Sequence, residues 1–553
     1  MDKLINCTVG GMLEQMAQKY PQHQAVKYIE TDYDRTYKQL NEEADLYAKG
    51  LLGMGLEKGD HLAVWMTNYP EWIISLFAAA KIGVVLITVN TNYRIHETEY
   101  LLRQSDANCL ILCDGLKDID SGEIMYNLCP ELKISQFGKL KSKRLPCLKY
   151  VVSVDSEKAG MLKFSDIVNY AENISDEYYQ FIKDSCDCHD TINMQYTSGT
   201  TGFPKGVMLS HFNILNNGKT IGDNMLFTEK DRLCITVPFF HCFGLVLAIM
   251  VCLTHGSTMV PLYFYNPLKV IFAVTQEKCT ALHGVPTMFI GILEHKDFKK
   301  YDYSSLRTGI MAGSPCPVKV MRETMDKMNM KDITIVYGQT EASPGCTQTN
   351  VSDSAELRAS TVGKVMSHIE AKIVDPETGK TLPPNIAGEF CARGYNIMTG
   401  YYNMPEATSQ AIDSDGWLHT GDIATVDEKG YYKITGRLKD MIIRGGENIY
   451  PKEIEEFLYH HPKIRDVQVI GVPSNQYGEE VMAWIILKDN QTMTEQEVID
   501  YVKVSMARHK VPRYIKFADS FPMTASGKIQ KYIMRETSIN ELGLGDASKI
   551  ETA

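Results

Sequence analysis

The chain has 553 residues, 44% of them hydrophobic and 23% charged, the composition of a globular enzyme with several domains and not of a disordered or fibrous protein. Lys plus Arg number 57 and Asp plus Glu 68, a formal net charge of -11, which argues against a general nucleic-acid binder because phosphate neutralisation needs a cationic surface. Anionic small ligands remain compatible where a few cations, amides or a metal ion gather at one pocket. The opening segment MDKLINCTVGGMLEQMAQKYPQ lacks the apolar core of a secretion signal. The longest apolar run, Phe243 to Leu253, is shorter than the about 20 residues a bilayer span needs. The 14 cysteines include the close pairs Cys109/Cys113 and Cys186/Cys188, with no second pair or histidine at zinc spacing. The reading is reduced thiols in a cytoplasmic protein without a transmembrane segment.

Along the chain, LNEEADLYAKGLLGMG reads as helix, HLAVWM as strand, PEWIISLFAAAKIG as helix, VVLITVN as strand, ETEYLLRQSD as helix and NCLILCD as strand. Such alternation predicts stacked βαβ units around a largely parallel sheet. From Thr191 a second set of short apolar strands follows: LCITVPF, STMVPLY, TALHGVP, TGIMAG and TIVYGQT. From about Val362 the texture turns to Gly-, Pro- and Asp-rich segments such as EAKIVDPETGK and AGEFCARG, which predict antiparallel strands with tight turns. After GRLKD a small unit begins, with EIEEFLYHHP and TEQEVIDYVKVSMA helical and DVQVIGVP and EVMAWIILK as strands; the residues from about Thr537 are expected to be mobile. The expected fold is α/β: a large N-terminal domain, residues 1–436, of stacked α/β subdomains plus a β-rich subdomain, and a small mobile α+β domain, residues 437–553.

The segment Tyr196 to Gly206, YTSGTTGFPKG, holds three glycines, one proline and a run of hydroxyl residues. Its amides and hydroxyls can wrap phosphate oxygens, with Lys205 adding charge. It is not a Walker A loop, since no GK[ST] occurs in it, and composition alone favours a surface turn. The order of its residues, however, resembles the phosphate-loop signature of the adenylate-forming superfamily, which includes acyl-CoA synthetases, aryl-CoA ligases, luciferase and adenylation domains. YGQTEASP (Tyr337 to Pro344), GWLHTGD (Gly416 to Asp422), GRLKDMIIRGGENIYPKEIE (Gly436 to Glu455) and TASGKIQK (Thr524 to Lys531) follow in that family's order. The resemblance therefore covers nearly the whole chain, and the chain is most similar to medium-chain fatty acyl-CoA synthetases.

The resemblance implies an AMP-forming carboxylate:CoA ligase that makes acyl-CoA through an acyl-adenylate, using ATP, Mg²⁺ and coenzyme A. Thr197, Ser198, Gly199, Thr200, Thr201 and Lys205 would hold the phosphates, Thr340 would touch the α-phosphate, and Glu341 would hold Mg²⁺, a hard ion suited to oxygen ligands. Tyr337 would stack on adenine beside Gly338, with Gly313, Ser314 and Pro315 opposite; if YGQTE stood alone, Tyr337 would read as a core aromatic at a strand end. Asp422 and Arg437 would contact the ribose. Lys528 would bridge the substrate carboxylate and the phosphorus. Lys439 would be the hinge of a domain rotation that turns Gly445, Gly446 and Glu447 towards the site for thiolation. His241 would gate an acyl pocket lined by Phe239, Phe240, Phe243, Gly244, Val285, Met311, Ala312, Gly338 and Gln339, and bulk at Gly338 is expected to shorten the preferred acid. These motifs offer no basic residue to a second carboxylate, which favours monocarboxylic acids, medium-chain fatty acids first and aryl or arylalkanoic acids second. A stand-alone adenylation enzyme loading a carrier-protein thiol, a luciferase-like oxygenase and a non-enzymatic binding protein are the other readings, and a homodimer is left open.

Overall fold

The computed structural model of the chain describes residues 3–115, 119–197, 204–313, 316–444, 447–474, 476–506, 508–524 and 529–544, with the backbone alone at 439, 447 and 448. Two large sheets form its body. The first has eight strands, in the order Gly400–Tyr401, Lys205–Ser210, Thr191–Thr197, Val85–Thr88, His61–Trp65, Cys109–Leu112, Tyr150–Ser153 and Leu162–Lys163. Its pairs from Thr191–Thr197 outwards to Leu162–Lys163 are parallel, while Lys205–Ser210 turns back antiparallel on Thr191–Thr197. The second has seven, in the order Asp332–Thr334, Thr308–Met311, Ala281–Gly284, Arg232–Ile235, Thr258–Pro261, Gln24–Lys27 and Asp34–Thr36, parallel except for the last pair. Strands such as Val85–Thr88 and Cys109–Leu112 are buried at every position, because helices cover both faces of a parallel sheet, and this is why they read as unbroken apolar runs.

The helices start and stop where their caps dictate. Tyr37–Met54 opens on a capping box between Thr36 and Gln39 and ends at Gly55 in the left-handed region; Pro70–Ile82 opens on its proline and ends likewise at Gly83. The run Phe243 to Leu253 lies within a buried helix, Cys242–His255, whose middle, Leu245–Met250, is a π-helix. It crosses the helix His211–Asn224 so closely that a Cβ at Gly218 would stand 2.6 Å from Met250 Cβ. Among the described residues no helix is long and apolar enough to cross a membrane.

TIVYGQT is not one strand. Ile335 N donates to Thr349 Oγ1 at 2.9 Å and Ile335 O accepts from Thr349 N at 3.0 Å, so the chain leaves the parallel sheet after Thr334 and enters a three-stranded antiparallel sheet of Val336–Gly338, Gly345–Gln348 and Lys364–Val365. A four-stranded antiparallel sheet follows: Ile369–Val374, Gly388–Gly394, Leu418–Val426 and Tyr432–Arg437. The last unit has its own five-stranded sheet around Gly478–Leu487 and its own core, built from Ile442, Ile454, Val467, Val481, Val498 and Val502. Residues 538–541 are not a loose tail, for the helix Lys531–Glu541 runs through them, while residues 545–553 lie outside the described residues. Met534 and Ser538, one turn apart, are both buried, and Trp484 Nε1 donates to Ser538 Oγ at 3.0 Å.

Candidate active site

Four neighbouring strands of the second parallel sheet deliver the site from their C-terminal ends, where open α/β sheets hold their ligands. Arg232–Ile235 leads to His241, Ala281–Gly284 to Val285, Thr308–Met311 to Ala312 and Gly313, and Asp332–Thr334 to Tyr337 through Glu341.

The first sheet supplies the phosphate side. Thr197 and Lys205 are partners across their antiparallel pair and bracket the segment 198–204. Thr197 Oγ1 donates to Glu341 Oε1 at 3.4 Å and Tyr401 Oη donates to the same oxygen at 2.9 Å, so Glu341 ties the two sheets together. Burial and the Glu341 carboxylate push the Tyr401 phenol up, which keeps it a donor. Lys205 Nζ lies 4.9 Å from the centre of the Tyr401 ring. Tyr401 stands outside every motif, which is why the sequence did not single it out. Hydroxyls around a carboxylate make an oxygen donor set that fits Mg²⁺; among the described residues both bonds fall on Oε1, which leaves Oε2 as the oxygen to offer.

Asp422 is 3% exposed. Tyr337 Oη donates to its Oδ2 at 2.9 Å and Arg437 Nε to its Oδ1 at 2.6 Å. Asp422 and Arg437 are register partners of adjacent strands, a cross-strand relation that their spacing in sequence does not display. Burial, and then the Asp422 charge, hold the Tyr337 phenol well above its usual range, and Asp422 raises the Arg437 guanidinium further. The Tyr337 ring is fixed edge-on against Phe390, 5.2 Å between centroids.

His241 caps the helix Cys242–His255: its Nδ1 accepts from Phe243 N at 3.2 Å, so the neutral ring carries its proton on Nε2. The next residue, Cys242, places Sγ 3.7 Å from Thr340 Oγ1, which brings His241 and Thr340 to one place. A Cβ on Gly313 would lie 3.2 Å from Val285 Cγ1 and 3.9 Å from Phe243 Cδ1, so these three converge; Ala312 shares their core. Phe240 is buried and Gln339 half-buried beside the turn Thr340–Ala342.

Other expected pocket residues do not line this wall. Met311 faces the opposite way, into the core of Phe289, Met321 and Met325, because side chains alternate along Thr308–Met311. Phe239 packs on Trp72, 5.2 Å between centroids. A Cβ at Gly244 would stand 2.2 Å from Pro238 O, and one at Gly338 1.8 Å from Pro344 O. Both glycines serve close backbone approaches and are not an open pocket floor. His283 was missed by the sequence reading, a lone histidine in the apolar strand ALHG being its signal. It is fully buried, accepts from Ile310 N at 3.2 Å through Nδ1 and meets Leu247 O at 2.9 Å through Nε2, and burial lowers it to about 4. It thereby locks two of the site's strands to the helix that carries Phe243. Ser198, Gly199, Thr200, Thr201, Ser314, Pro315, Gly445, Gly446 and Lys528 lie outside the described residues, as do the side chains of Lys439 and Glu447.

The family model for the AMP-binding enzyme matches residues 13–402, and that for the AMP-binding enzyme C-terminal domain matches residues 453–528. The chain belongs to the AMP-binding enzyme family. A putative acyl-CoA synthetase, YngI of Bacillus subtilis (strain 168), is 52% identical over 548 residues, 99% of this chain and 100% of the relative. The human mitochondrial medium-chain acyl-CoA ligase ACSF2 is 42% identical over 545 residues, 97% of this chain and 88% of its own. The ATP-bound crystal structure of MatB from Rhodopseudomonas palustris superposes with a TM-score of 0.82 at 28% identity, over 97% of this chain and 99% of that one. The protein is an acyl-CoA synthetase, an ATP-dependent acid–thiol ligase on the adenylate-forming fold.

Proposed function

We propose that the protein activates medium-chain fatty acids in two half-reactions at this one site. In the first, a carboxylate oxygen attacks the α-phosphorus of ATP and pyrophosphate leaves; in the second, the thiol of coenzyme A attacks the acyl carbonyl and AMP leaves. The observation that carries the reading is the continuity of the site: Thr197 and Tyr401 meet on Glu341, Thr340 follows Cys242 and His241, and Tyr337 and Arg437 meet on Asp422. On this reading the phosphate, carboxylate and ribose would lie along one path, as charge stabilisation by pre-set dipoles requires. Glu341 would hold Mg²⁺, which supplies neutralising charge on the phosphates when bound. Asp422 accepts the ribose hydroxyls, Tyr337 packs on the base, and His241 presents Nε2–H to the acid. Lys528 stabilises the phosphorus-centred transition state, and the unit from residue 437 onwards turns about Lys439 between the half-reactions. All fourteen cysteines are free thiols, which supports a reducing, cytoplasmic setting.

The wall of Phe243, Val285, Ala312 and Gly313 is apolar, and each methylene buried against it adds about 0.8 kcal/mol. A panel from acetate to palmitate, with benzoate, cinnamate and phenylpropionate, read as AMP released in the presence of coenzyme A, tests the substrate. The expected result is kcat/KM rising with chain length to a medium-chain maximum and then falling; an optimum at acetate, or at an aryl acid by a wide margin, contradicts it.

A further inference from the structure

The pairing of Gly388–Gly394 with Leu418–Val426 is broken where Asp422 stands. Glu389 is opposite Ile423 and Cys391 is opposite His419. Thr420, Gly421 and Asp422 therefore face the single residue Phe390, an enlarged bulge of the kind that re-aims side chains beside active sites. The surplus residues carry backbone groups that the ladder cannot satisfy, and an unmet buried donor is costly. Glu389, 8% exposed, supplies the missing partner with its side chain. Its Oε1 accepts from Gly421 N at 2.9 Å, while its Oε2 lies 2.8 Å from His419 Nδ1. One carboxylate thus grips the bulge on both sides of Thr420. The other bonds are local: Thr420 Oγ1 donates to Phe390 O at 2.6 Å and accepts from Asp422 N at 3.2 Å. On its far side His419 Nε2 is 3.5 Å from Asp413 Oδ2, so the ring is held at both nitrogens.

We infer that Glu389 and His419 are positioning residues of the adenylation reaction, holding the bulge that aims Asp422 at the ribose hydroxyls without touching the nucleotide themselves. The inference rests on the proposed ribose role of Asp422. A clasp that only stabilised the sheet would affect every nucleotide alike, whereas a clasp that aims Asp422 matters only when there are hydroxyls to receive.

The test compares kcat/KM for ATP with that for 2′,3′-dideoxy-ATP in pyrophosphate release, on the full chain. Asp422→Asn is the reference and should collapse the ratio of the two. Glu389→Ala is expected to lower the ratio by about tenfold, with the dideoxy nucleotide's value changed by less than about threefold. Glu389→Gln keeps an acceptor for Gly421 N and should restore most of the ratio. His419→Leu removes one of the two grips and should give an intermediate ratio, which keeps the inference testable should Glu389→Ala not fold. In Asp422→Asn, adding Glu389→Ala should lower the ratio no further, since the two act in series. Equal losses for both nucleotides in Glu389→Ala and His419→Leu, with Asp422→Asn collapsing the ratio, overturn the positioning role alone. A ratio unchanged in Asp422→Asn overturns the ribose reading, and the inference falls with it.

Discussion

The nucleotide wall and the small C-terminal unit are tied to their surroundings in different ways. In the wall, buried carboxylates each take two partners: Asp422 takes Tyr337 and Arg437 from two different strands, and Glu389 takes Gly421 and His419 from the one strand beside it. The small unit closes its strong ion pairs within itself, Lys531 on Glu455, Arg444 on Glu480 and Arg535 on Glu479. Towards the body it offers Lys452 Nζ donating to Ile434 O at 2.7 Å, a 3.7 Å pair between Lys433 and Glu456, and the Tyr450 ring beside Gly436. The Lys433–Glu456 pair is half-exposed and contributes little, whereas the Lys452 side chain is largely covered. On the proposed two-step reading, the wall would keep its geometry while the small unit parts from its neighbour between the half-reactions.

The largest expected effect comes from cutting the wall. Asp422→Ala removes the shared acceptor of Tyr337 and Arg437, and ATP-dependent pyrophosphate exchange should drop about 100-fold in kcat/KM, a hydrogen bond to a charged group being worth about 1.5–3 kcal/mol. Thiolation of a supplied acyl-adenylate should fall less, because the base and acyl contacts remain.

Acid should separate the two regions next. His211 and His283 are fully buried in the body and lowered by burial to about 3 and about 4. In the unfolded chain they take up protons below about pH 6.5, while in the folded body they stay neutral. Body stability is therefore intact above pH 6.5 and lost as pH falls towards 4, by about 1.4 kcal/mol per histidine at pH 5.5. Denaturant melts between pH 7.5 and 5.5 should show it, and His283→Gln should remove about half of the slope. His461 of the small unit is also lowered by burial, but is only partly covered, so that unit should lose less.

A smaller effect is expected at the join. Lys439 lies in the short turn Leu438–Asp440, directly after Arg437, which the wall holds. Lys439→Pro fixes φ near −65° and should slow thioester formation by about tenfold while adenylation changes by less than about threefold. Equal loss of both steps, or of neither, breaks the comparison.

Much of this was legible in the sequence because it depends on local pattern. Apolar runs ending in Gly, Pro or polar residues marked the parallel strands, and the resemblance to the adenylate-forming family, carried by motifs such as YGQTEASP, singled out His241, Gly313, Tyr337, Thr340 and Glu341. What was not legible depends on what passes nearby in space. Gly244 and Gly338 read as room for a substrate, yet Pro238 O and Pro344 O fill that room. Met311 and Ala312 are neighbours with opposite facings, and only the strand's orientation in the sheet decides which one meets Phe243 and Val285. Tyr401 reaches Glu341 across sixty positions, and Ser538 looked like tail until Trp484 met it.

The central claim is that one residue from the small unit serves the first half-reaction and leaves before the second. Lys528→Ala tests it most directly, with ATP–pyrophosphate exchange and thiolation of supplied acyl-adenylate measured side by side. The account predicts that exchange falls at least about 100-fold while thiolation stays within about threefold, because the lost charge acts only on the phosphorus-centred transition state. Exchange at near wild-type rate, or equal loss of both steps, would contradict it.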